Sequence, residues 1–182
     1  MENVMDMIYG ELYPQLVDGE VEEQTLQKSL DEMQELLDKV GIDATIDVVI
    51  NARKVYMTDN ETDESIRNLL NSYWYIKHYS GETAESWNLR FVDVKDISSY
   101  YLSYGRTVYD RDGKSAAVIV INTSQKEQFR ALQKLVGESD KVYILDQNGI
   151  VVCHSKPQMV GTWLANMNTF SEKYGYNDSR IL

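Results

Sequence analysis

The chain has 182 residues, of which 43% are hydrophobic and 26% are charged, a balance typical of a globular protein with a buried core rather than of a disordered segment. Its net charge of −11 argues against nucleic-acid binding, because phosphate backbones are bound by clustered Lys and Arg side chains. No apolar run is long enough to span a bilayer. One cysteine, Cys153, permits no internal disulfide, and two distant histidines offer no local metal-ligand spacing, so we expect no cofactor and no metal.

Residues 1–41 predict a long N-terminal helix with a bend. From residue 21 onward, apolar residues recur every three or four positions, which places one apolar stripe on an otherwise charged helix. Pro14 and Gly19 are the expected positions of the bend, and Gly41 is the stop signal. The stripe comprises Leu26, Leu30, Met33, Leu37 and Val40, and the upstream apolar residues are Met5, Ile8, Leu12 and Leu16. We expect the stripe to pack on its own domain; the alternative is a homodimer seam through the N-terminal helix.

Beyond residue 42 the period changes to that of strands. Two strands are predicted over 45–50 and 53–58, followed by polar caps and a helix over about 62–79. Residues 82–98 are apolar in places but give no regular pattern, and we expect them to be irregular. The residue 99–122 segment predicts a β-hairpin, in which a Tyr-rich strand and an apolar strand flank a turn at 111–113.

The rest of the chain predicts a helix, a second clear hairpin and a hook. The helix covers about 124–136, and Asp146-Gln147-Asn148-Gly149 forms the turn of the hairpin. The hook runs from Pro157 to Leu164. The whole order of helices and hairpins indicates an α+β fold in which helices pack against an antiparallel sheet.

No catalytic signature is present, and we expect this chain not to be an enzyme: it has no Gly-rich nucleotide loop, no nucleophile elbow and no zinc-protease helix. Functional potential instead concentrates in aromatic and polar residues of the Tyr-rich strand. Alternation along that strand places Tyr104 and Arg106 on one face and Tyr101 on the other. A buried arginine needs partners, so an Arg among tyrosines suggests either a small polar ligand or an ion pair at the rim.

The order of these motifs resembles the extracytoplasmic Cache domains of bacterial sensor histidine kinases. The matching stretches are Trp74-Tyr75, the later Trp87, SYYLSYGRTVYDRDGKSAAVIVIN and VYILDQNGIVVCHSKPQMVGTWL. The resemblance implies a PAS-like antiparallel sheet of about five strands with a long N-terminal helix and flanking helices. It further implies a sensor domain over 42–164 and a C-terminal tail over 165–182 that leads towards the membrane or a second module.

The function implied by the resemblance is that of a small-molecule sensor on the outer side of the cell membrane, anchored in the membrane by the parent protein. The parent would be a two-component histidine kinase; a chemotaxis receptor and a ligand-free interaction or dimerisation module are the alternatives. Family members that bind amino acids carry an Arg two positions before the Trp and an Asp at the end of the apolar strand, where this chain has Ser72 and Asn122. A zwitterionic amino acid is therefore disfavoured, and a less charged or sugar-like ligand is expected. The expected pocket residues are Trp74, Tyr75, Tyr101, Tyr104, Arg106 and Asn122.

Overall fold

The structure is a computed structural model, which describes residues 2–18, 21–51, 54–58, 61–94, 97–136, 143–145, 149–154, 156 and 159–163. The chain divides into two compact units, Met1–Gln128 and Phe129–Leu182. No helix among the described residues is both long and apolar enough to cross a bilayer. The predicted tail over 165–182 lies outside the described residues, and the predicted boundaries at 41 and 164 stay predictions.

The N-terminal region forms two helices, α1 (Glu2–Leu16) and α2 (Glu23–Lys39), rather than the single bent helix expected from the sequence. Pro14 lies inside α1 and does not end it. A continuous helix over residues 2–39 would be about 57 Å long at 1.5 Å per residue. The longest strands of the sheet reach only about 40 Å. Two shorter helices can therefore both bury their apolar faces on the same sheet.

The apolar stripes of both helices pack on the sheet of their own unit, as we expected in preference to a dimer seam. Their residues are fully buried together with the apolar faces of the central strands. The buried members are Met5, Ile8, Leu12 and Leu16 in α1 and Leu26, Leu30 and Leu37 in α2. Val40, the last residue of the predicted stripe, is exposed. A homodimer through these helices, which stays a prediction, would have to use their other faces.

Five antiparallel strands form the main sheet and confirm the predicted fold class. The strands are β1 (Ala44–Ile50), β2 (Lys54–Met57), β3 (Glu85–Val94), β4 (Ile97–Tyr109) and β5 (Ser115–Ser124). Their spatial order is β2-β1-β5-β4-β3. The turn between β4 and β5 is held by the Asp110 side chain, which accepts hydrogen bonds from the backbone N–H groups of Asp112 and Lys114.

Strand β3 replaces the irregular segment expected over 82–98. It pairs with β4 along its whole length and forms an edge of the sheet. Its sequence alternates, with Trp87, Leu89 and Phe91 on one face. The other face carries Ser86 and Arg90. Arg90 is buried, so a polar residue on this face does not mean that the face is exposed to solvent.

The other face of the sheet is covered by two short helices, α3 (Asp63–Leu70) and α4 (Tyr73–Tyr79), where one helix was expected. The break occurs at Ser72, whose hydroxyl donates to the Leu69 carbonyl and accepts from the Tyr75 N–H. Ser72 thus closes α3 and caps α4 at once. The two helices pack an apolar cluster that includes Leu69 and Tyr75 against Val118 and Val120 of β5.

Helix α5 (Gln125–Val136) follows β5, as expected. In the second unit, β6 (Tyr143–Leu145) and β7 (Val151–His154) form a separate antiparallel pair, which confirms the predicted second hairpin. The hook folds back on this hairpin, since Ile150 forms an antiparallel bridge with Trp163. Most of the predicted turn, Asp146 to Asn148, lies outside the described residues, as do Pro157 and Leu164.

Candidate functional site

Buried polar side chains gather on the sheet face that α3 and α4 cover. Alternation in the strands directs these side chains away from α1 and α2. The group that we call the Arg90 cluster consists of Asp47 of β1, Glu61 before α3, Arg90 of β3, Ser103 of β4 and Asn122 of β5. Five separate segments therefore converge on one buried polar site.

Arg90 is the centre of this cluster. Its two terminal nitrogens bind different carboxylates: Nη1 donates to Asp47 Oδ2 at 2.5 Å and Nη2 donates to Glu61 Oε2 at 2.5 Å. The three side chains are at most 3% exposed. Glu61 Oε2 also accepts from the Ser65 hydroxyl, so the start of α3 is bonded to the sheet through this carboxylate. Buried ion pairs of this kind offset their desolvation only when further hydrogen bonds hold the charges.

Asn122 supplies those further hydrogen bonds. Its Nδ2 donates to Asp47 Oδ2 at 3.0 Å, and its Oδ1 accepts from the Ser103 hydroxyl at 2.6 Å and from Arg90 Nη1 at 3.3 Å. An amide can serve an anion and a cation together because it carries both a donor and an acceptor. Asn122 is 1% exposed, and it links β4, β5, β1 and β3 beneath the helices.

Two polar atoms of the cluster lack a hydrogen-bond partner among the described residues. Within the part of the chain that the structure describes, Asp47 Oδ1 and Arg90 Nε are buried and have no hydrogen-bond partner. Buried polar atoms are nearly always hydrogen-bonded, and an unmet carboxylate oxygen is costly. The cluster thus has one acceptor and one donor available to a bound group.

His78 of α4 lies beside this site in a second polar chain. Thr107 Oγ1 donates to the Thr83 carbonyl at 2.8 Å, so it accepts the Nδ1–H of His78, 2.8 Å away. On the other side, His78 Nε2 is 2.7 Å from the Ser86 hydroxyl, which accepts from Asn88 Nδ2 and donates to the ring. Complete burial lowers the pKa of His78 to about 4, and the neutral ring matches these partners.

Trp74 forms an aromatic wall over β4. A Cβ atom added to Gly105 would lie 3.3 Å from the Trp74 ring and 3.1 Å from His78 Nε2, so any larger residue would be tightly packed against both side chains. Trp74 also meets the rings of Tyr75 and His78 edge-on. Gly105 is two residues from Ser103 along β4, a separation of about 7 Å. The Trp74 ring therefore packs on the same strand that supplies Ser103 to the Arg90 cluster.

The structure divides the six predicted pocket residues between the two faces of the sheet. Trp74, Tyr75 and Asn122 lie on the α3–α4 face, and strand alternation places Tyr101 there, opposite Arg90 in register. Tyr104 and Arg106 lie on the face covered by α1. The six residues therefore do not share one face of the sheet, and a ligand-binding role for each of them stays a prediction.

Tyr104 and Arg106 instead connect α1 to the sheet. Arg106 pairs with Asp6 of α1 at 2.6 Å and with Glu85 of β3 at 2.9 Å, and its guanidinium lies 4.3 Å from the centre of the Tyr9 ring. This is the rim ion pair that the sequence offered as an alternative. Tyr104 donates its hydroxyl to Glu85, and burial, followed by this bond, raises the pKa of the phenol.

Sequence reasoning missed Asp47, Glu61 and Arg90. Asp47 interrupts an otherwise apolar run, TIDVVI, in a central strand, and that interruption was the available signal. Arg90 was hidden because its segment was expected to be irregular. Because these three residues are present, the site is charged, although Ser72 and Asn122 stand where the resemblance would place an Arg and an Asp.

No family model matches this chain, and no curated protein sequence matches it. Several solved structures are similar to it in fold. The ligand-binding domain of the Pseudomonas aeruginosa PAO1 amino acid chemoreceptor PctC, in complex with GABA, is 16% identical with a TM-score of 0.66, and the match covers 100% of this chain and 78% of that one. The ligand-binding domain of the Pseudomonas fluorescens chemoreceptor CtaA, in complex with L-valine, is 12% identical with a TM-score of 0.64, over 89% of this chain and 68% of that one.

A third similar structure is the periplasmic sensory domain of the Campylobacter jejuni chemoreceptor Tlp1. It is 13% identical with a TM-score of 0.57, and the match covers 90% of this chain and 68% of that one. Identities this low show the fold alone. The chain has the α+β sensor-domain fold of these chemoreceptor domains.

Proposed function

We propose that this chain is an extracytoplasmic, small-molecule-sensing domain of a membrane-anchored bacterial receptor, and that its ligand binds on the α3–α4 face of the main sheet. The observation that carries the proposal is the Arg90 cluster. A buried face that served packing alone would be more stable with apolar residues than with three charged side chains. Incompletely paired polar groups on the same sheet face as a tryptophan ring are typical of binding sites.

The similarity to solved sensor domains supports this proposal independently of the cluster. One of those domains is described as periplasmic and sensory, and the other two as ligand-binding domains in complex with L-valine and with GABA. Fold likeness alone does not transfer a function. Here the likeness coincides with a polar site that this chain's own side chains build, and the two observations together favour a sensor.

Strand β4 offers a route for the signal. Its residues alternate between Ser103, Gly105 and Thr107, which face α4 and the site, and Tyr104 and Arg106, which face α1. A ligand that binds better to one packing of α3 and α4 would favour that packing. Because β4 contacts both sides, the shift would reach α1 and then the membrane-crossing part of the parent protein.

Two kinds of parent protein are compatible with this function. The motif order favours a two-component histidine kinase, whereas the chemoreceptor origin of the similar structures favours a chemotaxis receptor. The coding sequence downstream of residue 182 separates them. A phosphoacceptor helix followed by an ATP-binding domain would identify the kinase, and a long antiparallel helical hairpin without one would identify the chemoreceptor.

The binding site itself is tested by a thermal-shift screen of small metabolites against the whole chain. We expect a hit to raise the melting temperature of the chain. We expect Trp74→Ala and Asn122→Ala to bind that hit at least tenfold more weakly, and therefore to show a smaller rise. The matched control is Trp87→Ala, since Trp87 is an exposed tryptophan on the opposite face. Hits that bind all three variants equally well would contradict the proposed site.

A further inference from the structure

We infer that the ligand of the proposed site carries an uncharged group with a hydrogen-bond donor and an acceptor side by side, as a carboxamide, a lactam or a urea does. The inference rests on the proposed function and names the ligand class of the same site. In the described part of the chain, the Arg90 cluster leaves two buried atoms without hydrogen-bond partners: the acceptor Asp47 Oδ1 and the donor Arg90 Nε.

These two atoms belong to side chains whose other polar atoms are bonded. Asp47 accepts through Oδ2 from Arg90 and from Asn122, and Arg90 donates through Nη1 and Nη2 to the carboxylates of Asp47 and Glu61. Asp47 and Arg90 are both buried. Because a buried polar atom without a partner is costly, a ligand that satisfies both atoms gains more than a ligand that satisfies one of them.

Asn122 shows within the same cluster which chemical group bridges these two side chains. Its amide oxygen accepts from Arg90 Nη1 at 3.3 Å, and its amide nitrogen donates to Asp47 Oδ2 at 3.0 Å. The amide thereby pairs with a guanidinium and a carboxylate at once and adds no charge to a buried site. The two unpartnered atoms offer the same pairing, in which a ligand amide would accept from Arg90 Nε and donate to Asp47 Oδ1.

Charged ligand groups fit the two atoms less well. An ammonium group would donate to Asp47 Oδ1, but it supplies no acceptor for Arg90 Nε. A carboxylate would accept from Arg90 Nε, but it supplies no donor for Asp47 Oδ1 and adds a negative charge beside the buried Asp47 carboxylate. A zwitterion supplies a donor and an acceptor, yet each of its charges would find one partner among these atoms, and a charge that leaves water needs more.

The position of the two atoms connects this ligand to the movement of helices. Both atoms are buried in the packing of α3 and α4 that the structure shows, so the ligand reaches them when that packing changes. Arg90 Nη2 is bonded to Glu61, which precedes α3, so a ligand on the same guanidinium acts on the attachment of α3 to the sheet. The proposed function requires a shift of these helices.

The experiment measures the binding of matched probes to the whole chain by isothermal titration calorimetry. Benzamide is compared with benzoate, benzylamine, acetophenone and L-phenylglycine, and isobutyramide with isobutyrate, isobutylamine, methyl isopropyl ketone and L-valine. Each set thus holds an amide, an acid, an amine, a ketone and an amino acid with the same apolar group. We expect at least one amide to bind tenfold or more tightly than every other member of its set.

The variant Asp47→Asn connects this selectivity to the cluster. The new side chain keeps an oxygen for Arg90 and directs an N–H donor, in place of Oδ1, towards the ligand. We expect amide binding to weaken at least tenfold and the preference for the amide over the ketone to disappear, whereas a general loss of stability would weaken both alike. Asp31→Asn is the control, because it removes an equal charge from the exposed face of α2 and should leave binding unchanged.

A second measurement tests the donor in the unaltered chain and therefore holds even if Asp47→Asn does not fold. The Nε–H group of Arg90 gives its own signal in heteronuclear NMR spectra, which is assigned through the bonds of its side chain. We expect a bound amide to shift this signal, because a new acceptor changes the environment of the proton. An amide that binds and leaves the signal unshifted would contradict the inference.

The outcomes separate this inference from the proposed function. An acid, amine or amino acid that binds as tightly as the amide of its set would overturn the inference and leave the sensor proposal intact. Metabolite hits that all carry a charge or lack an amide-type group would do the same, as would amide binding that Asp47→Asn does not weaken. If no probe and no metabolite binds, the proposed function fails and the inference fails with it.

Discussion

At the scale of single residues, the chemistry of this protein is decided by polar side chains that are buried beneath α3 and α4. Arg90 and His78 have comparable burial but different solutions. Arg90 stays charged between two carboxylates, whereas His78 is hydrogen-bonded through hydroxyl groups that suit a neutral ring. Protonation of His78 would place a second N–H against a Ser86 hydroxyl that already accepts from Asn88.

His78 makes the stability of the main unit depend on pH. Its folded pKa of about 4 lies below the ordinary value of 6.5, so the unfolded chain binds the proton more readily than the folded chain. The stabilisation is complete above pH 6.5 and is lost as the pH falls towards 4. Between pH 7.5 and pH 5.5 we expect a loss of about 1 kcal/mol in the free energy of unfolding.

Urea unfolding at several pH values measures this loss. We expect His78→Gln to abolish most of the dependence above pH 5.5, where the carboxylates remain charged. His154→Gln is the control, because it removes the other histidine of the chain. An unaltered pH dependence in His78→Gln would show that another group is responsible.

At the scale of elements, capping and packing explain why two helices, α3 and α4, form where the sequence predicted one. Helices α3 and α4 together cover most of the predicted helix over 62–79, and they are separated at Ser72. The Ser72 hydroxyl forms hydrogen bonds with both helices. The break lets α4 turn its Trp74 and His78 side chains onto β4. Gly105 permits a close contact, because no side chain stands between the helix and the strand at that position.

We expect Gly105→Ala to destabilise the protein by about 1 kcal/mol, because the new methyl group would push against the hydrogen-bonded His78 ring and against Trp74. Gly10→Ala is the matched control. Gly10 lies inside α1 with open space around its Cα, so the same change should stabilise the chain by about 0.5–1 kcal/mol through helix propensity. Thermal unfolding measures both, and a stabilising Gly105→Ala would contradict the close packing of α4 on β4.

At the scale of the main unit, the five-stranded sheet separates two faces with different compositions. The face towards α1 and α2 is apolar over most of its area, and the Arg106 ion pairs with Asp6 and Glu85 lie towards its edge. The face towards α3 and α4 carries the buried polar site. Helix α1 is thus held to the sheet both by apolar burial and by one charged contact.

The charged contact should control how firmly α1 is held. We expect Arg106→Gln to weaken the docking of α1 by about 1 kcal/mol, since an ion pair and a cation–π contact are lost. Faster amide hydrogen exchange in α1, with unchanged exchange in α3, measures the effect. Arg111→Gln is the control, because its ion pair with Asp18 is largely exposed and should contribute little. Equal exchange in both variants would contradict the role assigned to Arg106.

The sequence by itself determined most of the elements and the fold class, because these depend on local periodicity and on turn and cap residues. The period-2 pattern of the central strands, the turn at Gly113 and the apolar stripe of α2 are all local signals. Strand β3 was not predicted because one of its faces is both polar and buried. Such a face matches neither the polar pattern of an exposed strand face nor the apolar pattern of a core face. Between α1 and α2 lies Gly19, one of the two expected positions of the bend, but the sequence predicted one bent helix and not two separate helices.

Only the tertiary structure determined which residues come together in the Arg90 cluster. Asp47, Glu61 and Arg90 are far apart in sequence, and their association arises when β1, β3 and the start of α3 meet across the sheet. Sequence alternation correctly separated Tyr101 from Tyr104 and Arg106, but it could not say which face α1 would cover. That choice follows from which helices bury which side of the sheet, a long-range packing decision that no single segment encodes.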